Sequence, residues 1–405
     1  MPPTKKELIL AVLVMLAIPV CSEVVLRVAN VQFEPQLYGP DPGRGWTLRP
    51  GASGVVSAES RQYVRINSQG FRDRERTYEK PANTVRIAIL GNSWTEALQV
   101  PLEKTYCSVL ERKLTEQGCF GGRRIEVLNF GVAGYSTAQE LLTLQQEVWK
   151  YHPDTVIVAF YPARDVANNL RELNNASNPE QSPYFVYRDT LLVLDDSFRA
   201  LPALQSQQIQ IQNLSYKVSR HLRILQGITA LQRFGKMRVA MAATRERAEK
   251  AGLDNLEYGI YAAPSQREMQ DAWKVTEGLL LKIRDEVKGH HVEFRIVSLA
   301  TRPQVSPDPE KSQTLMRKLG VENLSYADDR IREYGAREGI PVTSLAPALS
   351  RYAEANHIYL NGFTVANRGA GHWNETGHRL AAETIAADLC AAEEAAGDKI
   401  AAAAH

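Results

Sequence analysis

The stretch RIAILGNSWTEALQV, residues 86–100, decides the fold. Residues 85–90 are nearly all apolar, the pattern of a strand buried on both faces of a sheet. The run stops at Gly91-Asn92-Ser93 and passes into a polar turn. A serine at such a stop is either a nucleophile or a turn residue that caps the next helix. The segments around it separate the two readings.

Similar apolar runs recur at residues 125–129, 155–160, 292–299 and 340–345. Helical patterns lie between them: 102–116, a helix opened by a Thr137-x-x-Glu140 capping box and running to about 151, 267–287, 326–338 and 375–392. This alternation predicts a parallel sheet covered on both sides. It places an α/β domain over residues 84–395, with an insertion at about 171–265. The insertion begins with PYFVYRDTLLVL (183–194), which alternates like a hairpin about Arg188-Asp189-Thr190; its remainder reads as helix rich in Gln and Arg. Residues 29–83 are rich in Gly, Pro and Arg and read as an irregular extension with short strands. Residues 396–405 read as a flexible, frayed tail.

The N-terminus departs from the soluble pattern. Lys5-Lys6-Glu7 precedes an apolar run from Leu8 to Cys21, interrupted by Pro19. With Glu23 and Arg27 near the far interface, residues 8–28 are long enough to cross a bilayer. No small-x-small cleavage site follows, so residues 1–28 read as an uncleaved membrane anchor; a cleaved signal peptide or a buried helix competes with that reading. Paired lysines stay cytoplasmic, which puts the rest of the chain outside the cytoplasm, in the periplasm or at the cell surface.

Composition limits the function. Hydrophobic residues make up 44% of the 405 and charged residues 23%, as in a globular protein, and a net charge of +2 argues against a nucleic-acid partner. Cysteines at 21, 107, 119 and 390 make no disulfide framework. Cys107 and Cys119 are the pair to weigh; a helix separates them too far, so core thiols are expected. No metal-ligand motif is present, and neither metal nor cofactor is implied.

In an open parallel sheet, chemistry gathers at the carboxyl ends of the strands. Three loops leave such ends early: Gly91 to Glu96, Asn129 to Thr137 and Tyr161 to Asn169. Gly371-His372-Trp373-Asn374 precedes the last helix. Acyl transfer needs a hydroxyl within reach of an imidazole, and N–H groups aimed at the developing oxyanion. Ser93 can be the nucleophile and His372 the base. The N–H groups of Ser93 and Gly134 can form the oxyanion hole, glycine allowing close approach.

These four segments resemble, in order and spacing, the SGNH hydrolases (the GDSL esterase/lipase superfamily) over roughly residues 84–170 and 290–392. The family's GDSxT block resembles Gly91-Asn92-Ser93-Trp94-Thr95. Its oxyanion glycine matches Gly134 and its final histidine matches His372. His378 matches a second, structural histidine of the last helix. The resemblance implies a flavodoxin-like three-layer α/β fold and an ester hydrolase or O-acyltransferase. The N-terminal anchor and the INSQGFRD segment resemble membrane-tethered bacterial members, often linked to cell-surface polysaccharides. The implied partners are a membrane and a small ester or an acylated glycan, with a lipase as a further variant.

The chain departs from the family in three places. Arg164 stands where an oxyanion asparagine usually lies; it can still donate to an oxyanion, or it can pair with Asp165 and block the site. Asn168 or Asn169 can substitute from the next turn. Asn92 replaces an aspartate, which reads as structural. Ala370 and Gly369 occupy the positions where an aspartate usually precedes the histidine, so the expectation is a Ser-His dyad with the imidazole held by a backbone carbonyl. Asn92, Trp94 and Asn168 stand as substrate-contact candidates. Trp94, Tyr135 and Tyr161 form either a sugar-stacking wall or buried packing. The competing reading is a domain that has lost its chemistry and serves as a polysaccharide-binding or assembly component.

Overall fold

The computed structural model describes residues 3–174, 179–232, 235 and 259–403. Helix α1 (Lys5–Val28) has no buried residue, and its mean hydropathy is 2.6 over the most apolar stretch. It is long and apolar enough to cross a membrane. Two small antiparallel pairs follow: β1 (Tyr38–Asp41) with β2 (Gly45–Leu48), and β3 (Ser53–Val56) with β4 (Gln62–Arg65).

The main sheet contains β5 (Thr84–Gly91), β6 (Arg124–Gly131), β7 (Thr155–Phe160), β10 (Glu293–Ser298) and β11 (Val342–Ser344). They are all parallel, in the order β11-β10-β7-β5-β6. Numbered within the sheet, this is the 2-1-3-4-5 order of flavodoxin-like folds, with the topological switch point between β5 and β7. Every residue of β5 and β7 is buried, as their unbroken apolar runs require.

The helices of the domain include α2 (Ser93–Glu96), a single turn; α3 (Tyr106–Glu116); α4 (Thr137–Gln146); α5 (Pro162–Asn168); α6 (Ser206–Ser219); α7 (Arg267–Gly289); α8 (Pro309–Leu319); α9 (Tyr326–Glu338); α10 (Ala346–Asn356); and α11 (Glu375–Ala403). Right-handed crossovers put α3 and α11 on one side of the sheet and α4, α5 and α7 on the other. The insertion begins with the hairpin β8 (Tyr184–Arg188) and β9 (Leu191–Asp195), Asp189 taking the positive φ that the turn demands. Residues 175–178, 233–234 and 236–258 of the insertion lie outside the described residues.

Local structure adds to or departs from the sequence reading in three places. The cap of α4 is Ser136, one residue earlier than expected, and Gln139 Oε1 accepts its N–H at 3.2 Å. Thr137 and Glu140 are instead buried inside the helix, where the Glu140 carboxyl has no hydrogen-bond partner among the described residues. Burial therefore drives its pKa well above the ordinary range, and the charge of Asp165 adds to the rise. Helix α11 runs on to Ala403 and so takes in residues 396–403 of the tail, a stretch rich in alanine, the strongest helix former. Cysteine usage also differs. Cys119 is disulfide-bonded to Cys390 with Cα atoms 5.4 Å apart, while Cys107 is a buried free thiol. Cys390 was out of view from the sequence because its partner is 271 residues away, brought near only when α11 lies against α3.

The extension is tied to the sheet by two buried arginines. Arg86 on β5 bonds Glu126 at 2.7 Å and donates to the carbonyls of Thr77, Tyr78, Glu79 and Tyr151. Leu37, Trp46, Leu48, Val64 and Ile66 form a second apolar cluster with Val132 and Tyr135 of the domain. The second arginine, Arg72, belongs to the site described below.

Cys119→Ser should lower the unfolding free energy by about 2–5 kcal/mol, the usual worth of a bridge across a long loop. Denaturant titration of the variant and of the reduced parent should give the same loss.

Candidate active site

Ser93 opens the single turn α2 at the carboxyl end of β5, next to the switch point. Asn92 caps that turn: its Oδ1 accepts the Trp94 N–H at 3.1 Å, and its Nδ2 donates to Asp165 Oδ1 at 2.9 Å. A Cβ on Gly91 would lie 2.1 Å from Thr95 Oγ1, so only glycine lets the turn fold this tightly over its strand. Asn92, Trp94, Thr95 and Glu96 are all buried, and Ser93 between them is half-buried. The chain that follows is clamped from the extension. The fully buried Arg72 donates to the carbonyls of Glu96 (3.1 Å), Ala97 and Val100 (2.6 Å). Asn129 Nδ2 holds the Thr95 carbonyl at 2.8 Å.

The loop before α11 brings His372 to Ser93. Nε2 of the imidazole lies 2.8 Å from Ser93 Oγ. Its Nδ1 lies 2.6 Å from Glu59 Oε1, and Glu59 Oε2 accepts the His372 backbone N–H at 2.8 Å. The imidazole is therefore oriented by a carboxylate and not by a backbone carbonyl, which corrects the expected dyad. The loop itself supplies no acid, as read from the sequence; the acid comes from the extension, 313 residues upstream. With Nδ1 facing a carboxylate, its proton is fixed there and Nε2 is left to accept from the serine. Gln99 Nε2 lies 3.2 Å from the same Nδ1. No motif in the sequence marks Glu59, which sits in a polar segment between β3 and β4.

Gly134 has φ +81, in the left-handed region, so a side chain there would strain the loop. The loop is fixed on both sides of Ala133: Glu96 Oε2 accepts its N–H, and Trp46 Nε1 donates to its carbonyl at 3.0 Å. Tyr38 OH donates to Glu96 Oε1 at 2.7 Å. Burial pushes the Glu96 carboxyl up to about 7, against the pull of the Tyr38 and Ala133 hydrogen bonds and of the Arg72 charge.

The other named residues divide. Asn92, expected as a possible substrate contact, is 4% exposed and spends its amide on the turn and on Asp165. Trp94, 5% exposed, packs against Tyr161, Trp373 and the His372 ring (centroids 4.8, 5.0 and 4.9 Å away). It is a buried backing for the imidazole and not a sugar-stacking wall. Tyr135 is likewise buried, its hydroxyl on the Trp46 carbonyl at 2.6 Å. Arg164 lies half-buried in the first turn of α5. Asp165 takes the Tyr161 N–H at 2.6 Å besides the Asn92 amide, and burial raises its pKa. Asn168 is buried at the end of α5, its carbonyl accepting from Asn174. Asn169 bonds Ala138 N and Thr276 Oγ1, so it is committed to packing α5 against α4 and α7. His378 is buried, its Nδ1 accepting the Tyr106 N–H, and burial holds its pKa down at about 3; it is structural, as read from the sequence.

No family model matches the chain. An arylesterase of Vibrio mimicus is 26% identical over 96 residues, which is 22% of this chain and 46% of that protein. The chain thus matches less than half the length of this curated relative. Among solved structures, an alpha/beta hydrolase enzyme from the metagenome of Lake Arreo, Spain, is 13% identical, with 77% of this chain and 97% of that one covered and a TM-score of 0.38. An acetyl xylan esterase is 12% identical, with 74% and 98% covered and a TM-score of 0.37. The solved neighbours include esterases. The superpositions are loose, so the fold assignment stands on the strand order of this chain itself.

Partial burial raises the Glu59 pKa, but the hydrogen bonds and charge of His372, with the charge of Arg302, prevail and leave it below the ordinary 4.5. A carboxyl lowered in the folded state stabilises fully above its unfolded pKa, and that contribution is lost as pH falls through the folded pKa. Glu59→Gln should therefore be less stable than the parent at neutral pH, and the two should converge below the ordinary carboxylate range. Urea midpoints measured across that window check this. Arg72→Ala, which strands buried carbonyls, should cost about 2–4 kcal/mol in the same assay.

Proposed function

We propose that the chain is a serine esterase or O-acyltransferase of the SGNH type that works through a Ser93–His372–Glu59 triad. The observation that carries this reading is the continuous contact from Ser93 Oγ to His372 Nε2 (2.8 Å) and from Nδ1 to Glu59 (2.6 Å). Ser93 Oγ attacks the ester carbonyl carbon while His372 Nε2 takes its proton. Glu59 stabilises the imidazolium and holds the ring in register without itself becoming protonated. The oxyanion is met by the N–H groups of Ser93 and Gly134, with Arg164 as a further donor. Collapse of the tetrahedral species breaks the ester C–O bond, and the leaving oxygen takes the proton from His372. Water then gives a proton to His372 and attacks the acyl-serine; as the acyl C–Oγ bond breaks, His372 passes that proton to Ser93 Oγ, releasing the acid and restoring the serine. A sugar hydroxyl in place of water makes the same cycle an acyl transfer. The arylesterase match supports an ester substrate. An acylated cell-surface glycan is the substrate class we favour.

We place the domain outside the cytoplasm, held by α1. Paired lysines before the apolar run favour that orientation. The Cys119–Cys390 disulfide agrees with it, since such bonds persist in oxidising compartments. The alternative of a domain that has lost its chemistry rests on two departures, the missing aspartate and the missing oxyanion asparagine; the Glu59–His372 contact supports the enzyme on the first, and on the second Arg164 is the donor we assign.

Ser93→Ala should reduce turnover of para-nitrophenyl acetate to background, and Glu59→Ala should reduce kcat by about 10³- to 10⁴-fold. Steady-state kinetics of the purified full chain in detergent, with fluorophosphonate labelling mapped by mass spectrometry, decides it. Undiminished turnover by Ser93→Ala, or an adduct on another serine, refutes the assignment.

A further inference from the structure

Beside the His372 loop the fold leaves a cavity of about 340 Å³. That is room for a sugar ring, at the lower end of ordinary ligand sites. Its walls come from the segment after β10, from α8 and from the loop before α11, and they carry three cationic side chains, Arg302, Lys311 and Arg368. Tyr161, Tyr261 and Tyr359 supply aromatic surface. Among the described residues no Asp or Glu lines it.

The cavity adjoins the proposed chemistry. Gly369 lines it, three positions before His372. Tyr161, also in its wall, packs on Trp94, and Trp94 packs on the His372 ring. Arg302 acts on Glu59 through its charge. Lys311 Nζ sits 3.0 Å from Tyr359 OH, and its nearest carboxylate, Asp308, is 3.7 Å away outside the lining. Arg368 is exposed and makes no ion pair with the described residues. Cations converge here on a space bounded by tyrosine, with hydroxyls of Thr301, Ser306 and Ser312 between them.

We propose that this cavity seats an anionic sugar residue of the substrate, next to the sugar whose ester reaches Ser93. The proposal rests on the triad reading and narrows its substrate to acidic acylated glycans. Lysine and arginine give the anion its counter-charge, the tyrosines pack on the ring, and the hydroxyls bond its oxygens. A neutral glycan would gain the packing and the hydroxyl hydrogen bonds but not the charge attraction of Lys311 and Arg368.

Calorimetric titration of the full chain in detergent tests it with trigalacturonate, glucose-6-phosphate and xylotriose. Trigalacturonate should bind at least about tenfold more tightly than xylotriose, a difference of about 1.4 kcal/mol. The double variant Lys311→Gln/Arg368→Gln, both at exposed positions, should erase the preference and raise KM for acetylated polygalacturonate. Its kcat, and its turnover of para-nitrophenyl acetate, should stay at the parent's values. Tighter binding of glucose-6-phosphate than of trigalacturonate also supports the cavity and assigns the anion as phosphate. Equal binding of xylotriose, or a preference that survives the double variant, overturns the proposal. These titrations need no turnover, so a failed triad shows in the Ser93→Ala kinetics and a failed cavity shows here.

Discussion

Both oxygens of the Glu59 carboxylate grip His372, one at the ring nitrogen and one at the backbone N–H. A carboxylate spent on two donors of one residue fixes both the position of the loop and the rotation of the imidazole. The ring then has one orientation in which Nε2 meets Ser93, with the tilted Trp94 ring packed behind it. The loop before α11 includes Gly369 and Gly371, both at positive φ, and is also tied down by the bridge between Asn361 and Trp373 and by the Asn361 amide on the Gly371 carbonyl. The arrangement makes the catalytic reading depend on chain that precedes the α/β domain.

That dependence explains why the extension is built as firmly as the domain. Its apolar residues share a cluster with Val132 and Tyr135, at the base of the Gly134 loop. The two buried arginines that join it to the domain, Arg72 of the extension and Arg86 of β5, are the costly elements. A buried guanidinium must be paired and hydrogen-bonded, because leaving it bare costs several kcal/mol. Arg86 meets this with Glu126 and a ring of carbonyls, and Arg72 with three carbonyls of the chain after Ser93. Arg72 therefore does for the nucleophile turn what Glu59 does for the histidine loop, and Tyr38 adds a third tie through Glu96 to the Gly134 loop.

Behind the nucleophile the domain buries two carboxyls, Asp165 and Glu140, both raised in pKa by burial. Asp165 offsets part of that cost by ordering Asn92 and the start of α5. The Asn92 amide serves in the turn because it has both a donor and an acceptor to give. Asn92 and Trp94 are both buried, with the polar atoms of the Asn92 amide committed to the turn and to Asp165 and the Trp94 ring packed on Tyr161, Trp373 and His372.

Much of this was readable in the chain itself. Apolar runs such as 85–90 and 155–160 announce strands buried on both faces, and their alternation with helices requires a parallel sheet, because period and burial are local properties. The stop at Gly91-Asn92-Ser93 and the His372-Trp373-Asn374 loop were legible for the same reason. Tertiary structure alone decided what depends on contacts between distant segments. Glu59 carries no signal in its neighbours, since a carboxylate becomes a partner of His372 only by proximity. Cys390 finds Cys119 only after α11 has packed on α3. The strand order and the meeting of the four loops likewise come from closing the chain on itself, which no spacing along the sequence encodes.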